Sequence, residues 1–166
     1  MPEQETVKRA QRARRQGKSP SSQAGEFVRE EFHHVREGKH GARSPEQAIA
    51  IGLSKARRAG VKLPPPKADQ ASPETRHQAE RDIQKGQHNG EDRPSPKRSR
   101  AVRQALEREG HSAASPRAIA EHSHQAAQRR SPSERHNSAM KAVRSRSHQE
   151  RSRSARKAAR TRSRSR

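Results

Sequence analysis

Hydrophobic residues follow a helical spacing mainly between residues 25 and 63. In this stretch Val28, Phe32 and Val35 are spaced i, i+4 and i+7, which places their side chains on one face of a helix. The spacing predicts a helix over residues 23–37 whose apolar face packs against another element.

A second helix is predicted from its start signal. Ser44 has the chemistry of an N-cap, Pro45 suits the first helical position, and Gln47 is placed to complete a capping box. The pattern predicts a helix over residues 45–59, which Gly60 ends.

The two predicted helices are expected to pack against each other as a small αα-hairpin over residues 23–60. Gly52 lies inside the second helix, where it costs about 1 kcal/mol relative to Ala; its small size would allow close contact with the first helix. The predicted core consists of Phe27, Val28, Phe32, Val35, Ile49, Ile51, Leu53 and Ala56.

The rest of the chain has little apolar content. Only 25% of the 166 residues are hydrophobic, against roughly 45–50% in ordinary soluble domains, so burial cannot offset the entropy of ordering the whole chain. The predicted fold class is therefore mostly disordered with α-helical segments and no sheet. Four parts are predicted. Residues 1–22 are a basic N-terminal segment, and residues 23–63 are the helical hairpin. Residues 64–140 are a linker whose marginal helices begin at the Ser-Pro pairs of Ser72, Ser95, Ser115 and Ser131, and residues 141–166 are a disordered Arg/Ser-rich tail.

Positive charge is concentrated at the end of the chain. The formal net charge is +21, and residues 141–166 contain eleven basic residues and one acidic residue. Such a block indicates a binding site for polyanions, because Lys and Arg that neutralise phosphates release condensed counterions. The predicted nucleic-acid-binding residues are Arg144, Arg146, Arg151, Arg153, Arg156, Lys157, Arg160, Arg162, Arg164 and Arg166.

The aromatic content favours duplex DNA or structured RNA over single strands, and duplex DNA is the predicted partner with RNA as the alternative. The chain has no Tyr, no Trp and two Phe, whereas proteins that bind single strands stack bases on such rings.

The predicted function is sequence-nonspecific DNA binding and compaction, in the cytoplasm and at the nucleoid. Two alternatives stay open: an RNA- or ribosome-associated accessory protein, and a non-enzymatic adaptor whose hairpin binds a protein. A homodimer through residues 23–63 is also expected, because so small a core is below the usual size for independent stability.

No enzymatic, cofactor or metal site is predicted. The chain lacks cysteine and the known nucleotide-binding and hydrolase motifs. His33, His34 and His40 are close in sequence, but their spacing matches no standard ligand set. Glu30 and Glu31 are expected at the surface, as partners of neighbouring charges. No membrane association is expected, because the longest apolar run, residues 48–53, is far too short to span a bilayer.

One segment resembles a known family. Residues 36–61 read REGKHGARSPEQAIAIGLSKARRAGV. This segment is similar to a family of small, basic, uncharacterised bacterial proteins that carry Gly-Lys-His followed by Arg-Ser-x-x-Gln-Ala-Ile-Ala-Ile-(Gly/Ala)-Leu-Ser-x-Ala-Arg. The matching positions here are 38–40 and 43–57. The resemblance implies a bacterial, cytoplasmic protein and brings no established activity.

Overall fold

The computed structural model describes residues 2–87, 95–144 and 146–164, and over these ranges the protein is helical with no strand. Seven of the eight α-helices in these ranges begin at or near a Ser or Pro signal in the sequence. The helices are α1 (Gln4–Arg15), α2 (Pro20–Arg36), α3 (Pro45–Arg58), α4 (Pro73–Gln87), α5 (Pro96–Glu107), α6 (Pro116–Gln128), α7 (Pro132–Arg144) and α8 (His148–Arg164), with a 3₁₀ helix at Ser112–Ala114.

The prediction of a mostly disordered chain was wrong. Helices cover most of the linker predicted over residues 64–140, and the tail predicted to be disordered contains the end of α7 and the whole of α8. Low apolar content limits the size of a core, but a helix forms its backbone hydrogen bonds locally. Ala, Arg, Gln, Glu and Lys, which dominate these segments, are all strong helix formers.

Serine caps set the starts of the helices. The predicted Ser-Pro starts at Ser72, Ser95, Ser115 and Ser131 are confirmed, because each hydroxyl accepts a hydrogen bond from the backbone N–H three residues later. Ser44 does the same for α3, at 3.3 Å from the N–H of Gln47.

The start of α2 lies earlier in the chain than predicted. Ser19 is its N-cap, and Pro20 occupies the first turn, three residues before the predicted start at residue 23. The same Ser-Pro signal that identified α3 therefore also begins α2. Just beyond the C-terminal end of α2, Gly38 has a φ of 73°, a left-handed conformation that suits glycine.

Helices α2 and α3 pack together as the predicted αα-hairpin. A Cβ atom on Gly52 would lie 2.7 Å from the Cα atom of Val28, so the absence of a side chain permits the close contact. Phe27 and Val35 are fully buried, whereas Leu53 packs at the edge of the core. Much of the remaining buried surface comes from small residues, namely Ala24, Ala42, Ala48 and Ala56.

Helix α1 is a third member of this packing. It has few large apolar residues, yet Thr6, Ala10 and Ala13 form a buried face of small side chains. Ala10 belongs to the same core cluster as Phe27, and Arg9 pairs with Glu26 of α2 at 3.2 Å.

Helix α4 packs against α3 through polar contacts. Asp82 is buried and accepts hydrogen bonds from Ser54 at 2.5 Å and from Gln78 at 3.2 Å. Gly86 lies against the carbonyl group of Arg57, where a side chain would collide with the backbone.

Residues 106–114 also dock on the hairpin. The N–H groups of Gly41 and Ala42 donate to the carbonyl groups of Leu106 and Gly110, each at 2.9 Å. Ala113 and Ala114 complete a second core cluster with Val35, Ala42 and Ala48. The loop between α2 and α3 is thereby fixed by a segment some 70 residues away in the sequence.

The contacts divide the chain into two units, Met1–His122 and Ser123–Arg166. The first contains both core clusters. The second contains the end of α6 together with α7 and α8, and its described side chains are largely exposed. Within the described ranges, no helix combines the length and the apolar character that crossing a membrane requires.

Candidate functional site

The basic tail is organised as helix α8, and its first turn is fixed by a capping box. The N–H of Glu150 donates to the hydroxyl of Ser147 at 3.3 Å, and the N–H of Ser147 donates back to the Glu150 carboxylate at 2.8 Å. The hydrogen bonds from Ser147, with the nearby charges of Arg146 and Arg153 as smaller causes, lower the pKa of Glu150. The only acidic residue of the tail is therefore used to start the helix.

Four cations lie along one face of α8. Arg153, Arg156, Lys157 and Arg160 are spaced i, i+3, i+4 and i+7, so helical periodicity places them together, and all four are exposed. Arg151 and Arg162 lie elsewhere around the same helix.

The remaining predicted binding residues are spread over three places. Arg144 ends α7, Arg146 lies between α7 and α8, and Arg164 belongs to α8. Arg166 lies outside the described residues. The structure thus brings four of the ten predicted residues onto one surface, and their role in binding stays a prediction.

These four cations differ from several in the first unit in how their charge is compensated. Within residues 2–87, 95–144 and 146–164, none of the four makes an ion pair with a carboxylate. By contrast, Lys55 and Arg58 pair with buried acids, Glu31 and Asp82 respectively. Lys55 and Arg58 of the first unit thus compensate buried acids, whereas the four cations of the α8 face are exposed to solvent.

The two phenylalanine side chains take part in the core, Phe27 fully buried and Phe32 partly buried. Phe27 is 1% exposed, and Phe32 packs against the second core cluster. Because these are the only aromatic residues of the Phe, Tyr or Trp type in the chain, no base-stacking surface of that kind exists.

A second polar site lies inside the hairpin. Glu30 and Glu31 are 3% and 1% exposed, so the expectation that they lie at the surface was wrong. Phe27, Glu31 and Val35 are spaced i, i+4 and i+8, and this register places Glu31 in the middle of the buried face of α2. This register is visible in the sequence, but the predicted apolar stripe of Val28, Phe32 and Val35 does not include Glu31.

The partners of these buried carboxylates come from the loop, from α3 and from the N-terminus. Lys55 Nζ lies 2.6 Å from Glu31 Oε2 and 3.7 Å from Glu30 Oε1. His40 Nε2 lies 2.8 Å from Glu31 Oε1, and the backbone N–H of Glu3 donates to Glu30 Oε1 at 3.1 Å. Sequence inspection missed Lys55 and Glu3, because their spacing in the chain carries no local pattern.

An outer layer of charge surrounds this pair. His34 Nε2 and Lys39 Nζ lie 2.9 and 3.1 Å from Glu3 Oε1, and these hydrogen bonds lower the pKa of Glu3 to about 2. An open pocket of about 280 Å³ lies beside them, with Glu30 and His34 in its wall. The buried cluster is therefore close to a route from solvent.

Three residues of this site have the donor types of a metal centre. One ligand atom each from Glu31, His34 and His40 can be chosen so that all lie within 4.8 Å of one another. The rings of His34 and His40 stand edge to face, with centroids 6.0 Å apart. His33, the third histidine of the sequence cluster, is exposed and is not part of this group.

Comparison with known proteins gives a partial match. Residues 3–67 match the model of a family of unknown function, DUF6496. The matched part contains α1, α2 and α3 with the buried polar cluster, and it stops before α4. No curated protein and no solved structure shows a significant match. Residues 3–67 are thus similar to an uncharacterised family, whereas the assignment of the segment at 38–57 as a family motif and the bacterial origin stay predictions.

Proposed function

We propose that this protein binds nucleic acid without base-sequence specificity, with duplex DNA as the favoured partner and the nucleoid as the place of action. The observation that supports this most directly is the exposed face of Arg153, Arg156, Lys157 and Arg160 on α8. Among the described residues none of the four is in ion-pair contact with a carboxylate, and Glu150 interacts with Arg153 only at longer range. In this proposal the protein is not an enzyme and acts by binding alone.

The chemistry of the face suits phosphate groups. Arginine presents a planar fork that can donate two hydrogen bonds to one phosphate, and each phosphate neutralised releases counterions from the duplex. Helix α8 has 17 residues, which corresponds to a length of about 25 Å. A helix of this kind can follow a groove and contact several phosphates in succession.

The lack of aromatic residues favours a duplex over a single strand. Phe27 and Phe32 are committed to the core, so bases released from a single strand would find no such ring on which to stack. A duplex exposes its phosphates without any need for stacking. Double-stranded RNA presents the same phosphate groups, so the affinities for DNA and RNA have to be compared directly.

The proposal is tested with the full chain and fluorescently labelled 20-bp duplexes of two unrelated sequences, measured by anisotropy at several salt concentrations. The variant replaces Arg153, Arg156, Lys157 and Arg160 with Gln. We expect the wild type to bind both duplexes with similar Kd values. The variant should lose at least tenfold in affinity at 0.1 M salt, and its slope of log Kd against log salt should fall by about 3–4, since each phosphate contact contributes about 0.9.

A matched control removes four exposed positive charges from the first unit, by Gln substitution of Arg12, Arg14, Arg15 and Lys18. If this control weakens binding as much as the α8 variant does, net charge alone accounts for the affinity and α8 is not the binding face. A preference of more than tenfold for structured RNA would replace DNA by RNA as the partner. Failure of the wild type to bind either polymer would leave the adaptor function as the better hypothesis.

A further inference from the structure

The environment of His40 requires a positive charge on its Nε2 side. Nδ1 lies 3.0 Å from the carbonyl oxygen of Gly41, which can only accept, so Nδ1 carries the hydrogen. Nε2 then faces Glu31 Oε1 at 2.8 Å, and a carboxylate oxygen is again only an acceptor. Two acceptors at this distance repel each other unless a proton or a metal ion lies between them.

One oxygen of each buried carboxylate in the site has no hydrogen-bond donor. Glu30 Oε2 and Glu31 Oε2 are buried and have no hydrogen-bond partner. Lys55 Nζ lies 2.6 Å from Glu31 Oε2, but its direction is not that of a hydrogen bond, so the contact is an ion pair only. Buried carboxylate oxygens without a donor are costly, and a bound cation is one way in which proteins compensate them.

From this arrangement we propose that Glu31, His34 and His40 form a binding site for a divalent transition-metal ion of the zinc class. Imidazole nitrogen and carboxylate oxygen are the donors that such ions take in sites with two histidines and one acid. In a tetrahedral site with ligand distances of about 2.1 Å, the donor atoms lie about 3.4 Å apart. The three donors already lie within 4.8 Å of one another, so their separations need to shorten by up to about 1.4 Å.

The surroundings of the three donors support this assignment. The hydrogen bond from His40 Nδ1 to the Gly41 carbonyl fixes the tautomer with Nε2 as the ligand atom, which is the usual second-shell arrangement for a metal-bound histidine. His34 Nε2 lies 2.9 Å from Glu3 Oε1 and 3.9 Å from Glu30 Oε1. An ion bound at this nitrogen would replace the hydrogen bond to Glu3, and Glu30 is close enough to serve as a fourth ligand. The open pocket beside His34 provides access for the ion.

Lys55 has a defined part in this proposal as the competing cation. In the absence of metal, its ammonium group compensates Glu31. Lys55 is 15% exposed, so it can swing toward solvent when an ion takes its place. Metal and ammonium would therefore exclude each other at the same carboxylate.

The test uses the full chain at pH 7.5 with Co²⁺ as a spectroscopic probe and Zn²⁺ as its competitor. We expect one equivalent of Co²⁺ to give the visible absorption of a four-coordinate ion, which one equivalent of Zn²⁺ removes. The His34→Ala and His40→Ala variants should each lose this absorption and bind Zn²⁺ at least tenfold more weakly. The matched control is His33→Ala, which removes a neighbouring but exposed histidine and should change neither. Equal Zn²⁺ affinity in the wild type, His34→Ala and His40→Ala would overturn the site.

A second variant covers the case in which the histidine variants fail to fold. Lys55→Gln removes the competing ammonium and leaves Glu31 uncompensated, so its Tm without metal should fall. Added Zn²⁺ should raise the Tm of Lys55→Gln more than that of the wild type, since the ion replaces the missing charge. A Tm of Lys55→Gln that does not respond to Zn²⁺ would show that the cluster is only an ion-pair network.

Discussion

Small side chains set how closely the helices of the first unit pack. Ala24, Ala48 and Ala56 are fully buried, and Gly52 lies directly over the backbone of Val28. Because a chain with two Phe and few large aliphatic residues cannot fill a wide interior, close contact between backbones replaces large side chains as the source of dispersion contacts. Substitutions at these positions should therefore be costly in spite of their small size.

Gly52→Ala tests this close contact. Alanine is the better helix former by about 1 kcal/mol, so the substitution would stabilise a helix without neighbours. Here its Cβ would lie 2.7 Å from Val28 Cα, and we expect a net loss of about 1–3 kcal/mol in the free energy of unfolding, as for overpacked cores. Urea denaturation followed by circular dichroism measures the difference.

Gly25→Ala is the matched control for Gly52→Ala. Gly25 is also inside a helix, but it is exposed, and nothing lies within 4 Å of a Cβ added there. Propensity alone should then stabilise the protein by up to about 1 kcal/mol. A stabilising Gly52→Ala would mean that α2 and α3 do not approach as closely as described.

At the scale of elements, the N-terminal caps explain why so polar a chain is helical. A serine hydroxyl accepts from a backbone N–H in the first turn of α2 to α5, and each such cap contributes about 1 kcal/mol. The same contact recurs in α6, α7 and α8. These contacts are local, so they operate even where a helix buries nothing.

The cap of α8 predicts a pH dependence of its helicity. The pKa of Glu150 is lowered from its ordinary value of 4.5, so its contribution to the helix is complete above that value. The contribution is lost as the pH falls through the lowered pKa, when protonation removes the charge that Ser147 binds. We expect helical signal from residues 148–164 to decrease as the pH is taken from 6 to 2, as followed by residue-resolved NMR chemical shifts.

Glu150→Gln separates the charge from the hydrogen bond. Glutamine keeps an acceptor for the N–H of Ser147 but does not titrate, so the helicity of α8 in this variant should not respond to pH over the same range. An equal response in the variant and the wild type would assign the change to other groups.

Across the whole molecule, most described residues are helical, but only some of the helices contain buried residues. Helices α1 to α4 contain buried residues, whereas α5, α6 and α7 contain none. An exposed helix of this length is only marginally stable by itself in water. Local opening is therefore expected to be easiest outside α1–α4.

Hydrogen exchange measured by mass spectrometry should show this difference. We expect the slowest exchange in α2 and α3 and exchange at least tenfold faster in α7 and α8, since opening these helices exposes no core. Added duplex DNA should slow exchange in α8 if the proposed function is correct. Uniform protection along the chain would contradict the division into a packed and an exposed part.

Local features of the chain could be predicted because their causes lie within a few residues. The Ser-Pro starts located α3 to α7, and Gly52 indicated the close contact within the hairpin. The prediction of a mostly disordered chain was wrong because low apolar content limits the size of a core but does not prevent capped helices from forming. The internal core was predicted in part: Phe27, Val35 and Ala56 are buried, whereas Ile49 is only partly buried and Ala24, which was not predicted, is fully buried.

The starts of the helices, the positive charge at the end of the chain and the scarcity of aromatic residues follow from the amino-acid sequence alone. Which charges are buried depends on contacts between distant parts of the chain. Glu31 meets His40 and Lys55 because α2, the loop and α3 converge, and residues 106–114 dock on that loop through backbone hydrogen bonds. These contacts join segments that are far apart in the sequence, so no local sequence pattern predicts them. The free energy that stabilises them comes from the packing of several helices together and not from any single helix.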